Sequence, residues 1–449
     1  MNTYTKYGLF VGLGALLITA CDSRLTVQPT QSIDANQALG TEQDVRITLT
    51  GAYDGLSDGE VYGGGIQYIG DLLGDNRDVV FGGTFTTLDE ISRKTVTTSN
   101  TVVRDLWLGS YNAINRANNV LASLDKASTA DRGNFEGQAR FIRGSLYFEL
   151  VKLFAKSFND GTPAQNPGIP LVLTPTSVIG DADFRVRNSV AEVYAQVLDD
   201  LIKAEQLLPL KQEGANSSGF ATKGATRAML ARVYLQQQNF AAARDAANRV
   251  ITSGTYSLAS TYPAVFTDIS PESIFKIVVG DQDGVNDLAT FYASTRNSGR
   301  GDVRVQTRFR QLFGATDTRG QFFTTVGSNV FTSKYNDRFG DVPVVRLAEI
   351  YLVRAEANLR LNSSTGATPL ADVNLIRTRA GATPLTTVDL VAILLERRLE
   401  LAFEGQQIAD IKRTAGTIGT TLYNANNLVL PIPQREIDTN KKLVQNPGY

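Results

Sequence analysis

Beyond residue 40 the chain is written mainly in the period of the α-helix. Phe135, Ala139, Ile142, Leu146, Leu150 and Leu153 recur at intervals of three and four, on one helical face. Phe141, Phe148, Val151 and Phe154 form a second apolar face on the same segment, so this helix is predicted to be enclosed on most sides. Gly144 in its middle leaves room for a neighbour. A helix around 104 to 124 carries Leu106, Trp107, Tyr111, Ile114, Asn118 and Leu121 in phase. Ser189-Val190-Ala191-Glu192 is a capping box, opening a helix with Val193, Val197, Leu201, Ala204 and Leu208 inward and Pro209 as its stop.

Residues 222 to 254, TKGATRAMLARVYLQQQNFAAARDAANRVITSG, read as two short helices meeting at Asn239. Ala228, Ala231 and Leu235 face one way, and Phe240, Ala243 and Ala247 let a partner helix close in. This length and small-residue pattern resemble a tetratricopeptide helix pair. Further pairs fall at roughly 104 to 157, 189 to 253 and 342 to 403, which predicts a mainly α scaffold of tetratricopeptide-like helix pairs. Residues 55 to 100 and 255 to 340 differ. They are rich in Gly, Asp, Asn, Thr and aromatics, with short strand-like runs such as Ile274 to Val279. No linker sets them apart, so residues 41 to 449 are expected to form a single domain with two loop-rich insertions, where function tends to reside.

Composition narrows the chemistry. The 449 residues carry 44 basic and 45 acidic side chains, a balance that gives no footprint for nucleic acid or for a polybasic membrane patch. There is no histidine, which removes Ser-His-Asp and Cys-His nucleophile systems, H-E-x-x-H zinc sites and imidazole acid–base work. One cysteine removes an internal disulfide framework and thiolate metal clusters. Any catalysis would have to run on carboxylates, Lys, Tyr or Ser.

That cysteine, Cys21, follows Lys6 and an uncharged run from Gly8 to Ala20. The run is too short for a stable transmembrane helix and suits a secretory signal. Ile18-Thr19-Ala20 before Cys21 resembles the lipobox of bacterial lipoproteins. The resemblance implies cleavage before Cys21 and acylation of it, with residues 1 to 20 as signal and 21 to 40 as a flexible tether. Several acyl chains give stable attachment where one would not.

From Cys21 to the C-terminus the chain resembles the SusD/RagB family of outer-membrane lipoproteins. The similarity rests on LWLGSYNAINRANNVL from Leu106, GQARFIRGSLYFELVKLFA from Gly137 with the following NPGIPLVLTPT, and VRLAEIYLVRAEANLRL and VNLIRTRAGA from Val345 and Val373. The closing signatures ERRLELAFEGQQIADIKR, from Glu396, and LPIPQREIDTNKKLVQNPGY, ending at Tyr449, are its most specific parts. Gln407 and Thr414 depart from the family pattern, at positions that read as structural. The resemblance implies a tetratricopeptide-like scaffold and a surface-facing, lipid-anchored protein of the outer membrane. It also implies a TonB-dependent barrel transporter of the SusC kind as partner, with ligand held in the loops.

Several motifs invite chemical readings. Glu396, Glu400 and Glu404 recur at four-residue intervals and suggest a hydrolytic carboxylate pair. One helix face cannot straddle a substrate, however, so an ion-pair network with Arg397, Arg398, Lys412 and Arg413 is expected. Trp107 lies in phase with Tyr111 and Ile114 and reads as core. DQDGVND, 281 to 287, fails EF-hand spacing, since Tyr292 stands where the glutamate belongs. Gly63-Gly64-Gly65 and Gly82-Gly83 lack a phosphate loop's lysine and read as hinges or turns in an exposed segment.

The insertions' aromatics are stronger candidates. Tyr62, Tyr68, Phe81 and Phe85 stand near Asp75, Asn76 and Arg77 in the first; Phe291, Tyr292, Phe322 and Phe323 stand in the second. A ring can lie on a sugar's apolar face while Asp, Asn and Arg bond its hydroxyls. The expected function is non-covalent capture of an oligosaccharide and its delivery to the transporter, with no cofactor, metal or catalytic residue. Alternatives are a peptide ligand in the same role, a lipid-anchored carboxylate glycosidase, or a structural helical-repeat adaptor.

Overall fold

The computed structural model describes residues 39–214, 217–280, 282 and 284–449. The expected signal, Cys21 and all but the end of the tether lie outside these residues, as do Asp281 and Asp283 of the DQDGVND run.

The fold is mainly helical. In the first half α1 (Glu42–Ser57), α2 (Gly65–Gly74), α3 (Thr86–Arg93), α4 (Thr101–Ala122), α5 (Thr129–Phe154), α6 (Val190–Leu207), α7 (Lys223–Gln236) and α8 (Phe240–Ile251) follow one another. The second half adds the short α9 (Asp287–Tyr292) and α10 (Thr307–Arg310), then α11 (Leu347–Arg360), α12 (Pro369–Arg379), α13 (Leu390–Glu400), α14 (Gln407–Arg413) and α15 (Gln434–Thr439).

Helix starts follow local chemistry. Ser189 and Glu192 form the expected capping box on α6, Thr41 and Asp44 form another on α1, and Asn239 caps α8 through the Ala242 amide. Helix α4 packs on α1 and α5, α5 on α6, α6 on α7, α7 on α8, and α8 on α11, which carries α12 and α13. The helices thus meet as successive pairs.

α5 is the central element, and nearly every residue from Phe135 to Phe154 is buried. At Gly144 an added Cβ would lie 3.1 Å from the Asp200 side chain of α6. That closeness lets Arg143 clasp the fully buried Asp200 through two bonds of 2.9 and 2.7 Å, with Arg140 adding a third at 2.9 Å. Such forked pairs make a buried carboxylate tolerable. Trp107 packs in the core between Tyr111 and Phe154, with both ring centroids 4.9 Å away.

The strands are short: β1 (Val79–Phe81), β2 (Ser273–Ile277), β3 (Val303–Val305), β4 (Phe323–Val326), β5 (Asn329–Thr332), β6 (Val342–Arg346), β7 (Thr417–Ile418) and β8 (Thr421–Leu422). Among the described residues they form two-stranded antiparallel ladders, β1 with β3, β2 with β6, β4 with β5 and β7 with β8. The β1–β3 ladder sets Val79 opposite Val305 and Phe81 opposite Val303. It joins the two insertions across more than 200 residues of chain.

The glycine run at 63 to 65 is buried, not exposed. A Cβ on Gly65 would sit 2.0 Å from the Glu60 carbonyl oxygen, so the turn into α2 closes on backbone alone. All ten residues of α2 are buried, and at Gly70 the helix meets the backbone of Gly405.

Candidate functional site

The β1–β3 ladder brings the tips of both insertions together. Gly82 donates its amide to the Asp302 carbonyl at 2.7 Å, and Asp302 donates to the Phe291 carbonyl at 3.0 Å. On this base Phe85, at the start of α3, stands edge-on to Phe291 of α9 with centroids 5.7 Å apart. Phe291 in turn stands edge-on to Tyr68 of α2 at 5.2 Å. These perpendicular contacts are the arrangement that aromatic quadrupoles favour. Tyr68 and Phe291 are buried, whereas Phe85 keeps 45% of its surface exposed.

Arg300 completes the group. Its guanidinium carbon lies 4.6 Å from the Phe85 centroid. It donates from Nε to Asp302 at 2.8 Å and from Nη2 to Thr84 Oγ1 at 3.0 Å. Two bonds and a ring contact hold the side chain, which remains 40% exposed. The result is a rigid, part-open surface of ring edge and guanidinium. Sequence reading missed Arg300; a lone charge between Gly299 and Gly301 was its signal, since Gly301 adopts φ 66° and turns the chain back toward Phe85.

The other candidates lie elsewhere. Tyr62 is buried, with its hydroxyl 3.2 Å from Glu149. Tyr292 is buried beside Tyr335 and Phe403 and donates to Asp71 at 2.7 Å. Burial raises the Asp71 carboxyl to about 7, against the bonds it accepts from Tyr292 and the Gly405 amide. Phe81 is a buried strand residue. Phe322 packs with Phe266 and Tyr262, and Phe323 with Phe313.

Asp75 holds a turn, accepting from the Asp78 and Val79 amides at 2.8 and 3.0 Å. Arg77 sits exposed at that turn with φ 65°. Asn76 accepts from the Gly419 amide at 3.0 Å and borders a cavity of about 330 Å³. Leu394, Leu395, Leu401 and Ile411 wall it together with Arg397, Arg398, Gln406, Gln407 and Asp410.

Glu396 and Glu400 of α13 are enclosed in an ion-pair network, as expected, but with different partners; the helix ends at Glu400, so Glu404 joins the network from the turn that follows and not from the same helix face. Arg346, at the end of β6, donates to Glu272 at 3.0 Å, to Glu400 at 2.6 Å and to Glu404 at 2.8 Å. Arg319 bonds Asp317, Glu396 and Glu400; Arg379 bonds Glu272 and Glu400; Arg377 bonds Glu396; Lys334 bonds Glu404 at 2.6 Å. The expected partners turn away. Arg397 pairs with Asp410, Arg398 with Asp78, Arg413 with Glu356 and Asp410, while Lys412 donates to the Lys152 carbonyl. Helix phase puts Arg397 and Arg398 off the glutamates' face, leaving that face to β2, β6, α12 and the 317–334 segment.

Burial alone would raise Glu400, but Arg379, Arg346 and Arg319 hold it far below the usual carboxylate range. Burial likewise lowers Lys334, to about 8, against the pull of Glu404. The three arginines thereby hold Glu400 in the ionised form.

A mainly helical scaffold of successive pairs, with two insertions stitched into an aromatic tip, defines the class. Family comparison agrees. Residues 31–235 match the SusD-like profile described as "Starch-binding associating with outer membrane", and residues 321–429 match the SusD family profile. The chain belongs to the SusD/RagB family.

SusD-like protein P2 of Formosa agariphila is 23% identical over 522 residues, covering 99% of this chain and 100% of that protein. The starch-binding protein SusD of Bacteroides thetaiotaomicron is 29% identical over 174 residues, 34% of this chain and 30% of that one. Among solved structures, a SusD-like carbohydrate binding protein from Bacteroides vulgatus superposes with TM-score 0.72 at 26% identity, covering 84% of each chain. Surface glycan-binding protein A of Bacteroides uniformis shares the fold at TM-score 0.77 and 22% identity, over 90% of this chain and 99% of that one. Relatives are thus described as binding proteins, and the family as associated with the outer membrane.

Proposed function

We propose that this protein binds an oligosaccharide at the surface formed by Phe85 and Arg300, with the buried Phe291 supporting the ring from beneath, and delivers it to a TonB-dependent outer-membrane barrel of the SusC kind. The carrying observation is the convergence of a half-exposed ring and a clamped guanidinium from insertions joined by the β1–β3 ladder. A sugar's apolar face fits against Phe85, while Arg300 and Thr84 reach its hydroxyls. The names of the starch-binding and carbohydrate-binding relatives support this ligand class.

The step is capture and release with no bond broken. The α13 glutamates support a non-enzymatic reading, because a general acid must hold and release a proton and Glu400 is kept ionised by three arginines. Acylated Cys21, followed by the 22–40 tether, would hold the domain at the outer face of the membrane.

Two measurements test the proposal. Titration calorimetry of the mature chain against maltoheptaose, xylohexaose, mannohexaose and laminarihexaose should find a ligand whose binding Phe85→Ala weakens at least tenfold. Purification in mild detergent should bring down a barrel of the SusC kind. Retained affinity in Phe85→Ala sinks the site, and release of new reducing ends sinks the binding-only reading.

A further inference from the structure

A second depression opens between the outer face of α1, the start of α5 and the connection after α6. Its volume is about 470 Å³, within the range of small-molecule sites, roughly 300–1,000 Å³. It shares no residue with the Phe85 surface. We propose that it is a separate carbohydrate subsite, taking a short, neutral stretch of glycan on the helical scaffold.

The wall facing this space combines a ring with a fixed line of carboxamides. Phe220 is 39% exposed and held upright by Tyr53, with centroids 5.1 Å apart and planes at 79°. Tyr53 is itself fixed: its hydroxyl donates to Gln138 Oε1 at 2.8 Å and accepts from the Ala221 amide at 2.9 Å. Gln138 Nε2 then donates to Asn134 Oδ1 at 3.2 Å. Asn134 and Gln212 exchange reciprocal bonds of 3.2 and 3.0 Å, and Gln212 also donates to the Ala221 carbonyl at 2.6 Å.

Each carboxamide carries two N–H donors and an acceptor with two lone pairs. The half-buried Asn134 spends one Nδ2 N–H on Gln212 and keeps a second, while the buried Gln138 holds Asn134 in place from behind. Pre-positioned amide donors and acceptors beside an open ring suit hydroxyl groups on a ligand with an apolar face.

Charge argues for a neutral ligand. Arg46 and Lys211 are offset by Asp131 and Glu213 on the same wall, and Arg46 is already engaged with Asp131 at 2.9 Å and stacked over Phe135. No cationic surplus is left to hold a phosphate or carboxylate. The subsite shares the ligand class of the function proposed above but none of its residues, so the two stand or fall separately.

The test is titration calorimetry of the mature chain with maltoheptaose, xylohexaose, mannohexaose and laminarihexaose, on wild type, Phe220→Ala, Phe220→Trp and Phe85→Ala. Phe220 is part-exposed, so unchanged melting temperatures confirm intact folds. Two sites per chain are expected for at least one of these glycans. Phe220→Ala should weaken one of them tenfold or more, Phe220→Trp should keep it, and Phe85→Ala should leave it untouched. Loss in Phe220→Ala with none in Phe85→Ala supports the subsite and overturns the Phe85 site. The reverse pattern overturns the subsite and supports Phe85. Wild type that binds none of the four overturns both.

Discussion

Arginines and aromatic rings meet in two parts of this protein, with opposite consequences. Around Arg346, Arg319 and Arg379 they are buried, and each guanidinium faces glutamates at bonding distance, with Phe266 and Tyr262 close by. At Phe85 and Arg300 they lie at the surface, held from below and open above. The residue types are alike; what differs is how much bonding capacity the protein itself consumes. A desolvated network whose charges are already paired can only hold elements together. A part-exposed ring beside a clamped cation keeps surface and donors for a ligand.

The sharpest way to break this contrast is to cut the buried network. Glu400→Ala removes one carboxylate partner from each of Arg319, Arg346 and Arg379 at once, leaving the buried network with an uncompensated positive charge. We expect about 3–5 kcal/mol of lost stability in urea denaturation. A loss as small as a surface substitution produces would erase the distinction between the regions.

Asp71 lies on the border between them, tying Tyr292, the neighbour of Phe291, to the Gly405 turn. Its folded pKa is raised to about 7, so the folded state binds the proton more tightly than the unfolded chain. The stability this contributes is complete below about pH 4, the unfolded value, and is lost as pH rises toward 7. The difference in stability between wild type and Asp71→Asn should therefore drift against wild type over that interval, at up to about 1.4 kcal/mol per pH unit. A difference that is flat from pH 4 to 7 would contradict the raised pKa.

At the surface the expected effects are smaller and of another kind. Phe85→Ala should cost tenfold or more in glycan affinity, ~1.4 kcal/mol, while moving the denaturation midpoint little. Arg300→Ala should cost less, because an exposed cation–ring contact contributes about 0.5–1 kcal/mol. A double-mutant cycle of Phe85→Ala with Arg300→Ala should show stability coupling of that size. Zero coupling would mean that the guanidinium sits over the ring without being held by it.

The helical half of the fold was readable because its signals are local. The apolar faces of α5, the Ser189 capping box and the Asn239 break each depend on residues within a few positions, and each formed as expected. Trp107 went into the core for the same reason of phase. The insertions were less readable. Glycine richness at 63 to 65 suggested exposure, yet it serves close packing of backbone around the fully buried α2. Of the candidate aromatics, Phe85, Phe291 and Tyr68 converge, while Tyr62 and Tyr292 carry the same composition into the core.

Sequence by itself determined the helix register, the caps, the absence of imidazole and thiolate-cluster chemistry, and the family to which the chain belongs. These follow from spacing along one strand of polymer and from which atoms are present at all. Tertiary structure decided the partners of Glu396, Glu400 and Glu404, the burial of each ring, and the pairing of Phe85 with Arg300 across the β1–β3 ladder. Charge pairing and exposure depend on which distant segment closes over a given face, and packing settles that choice beyond the reach of local periodicity.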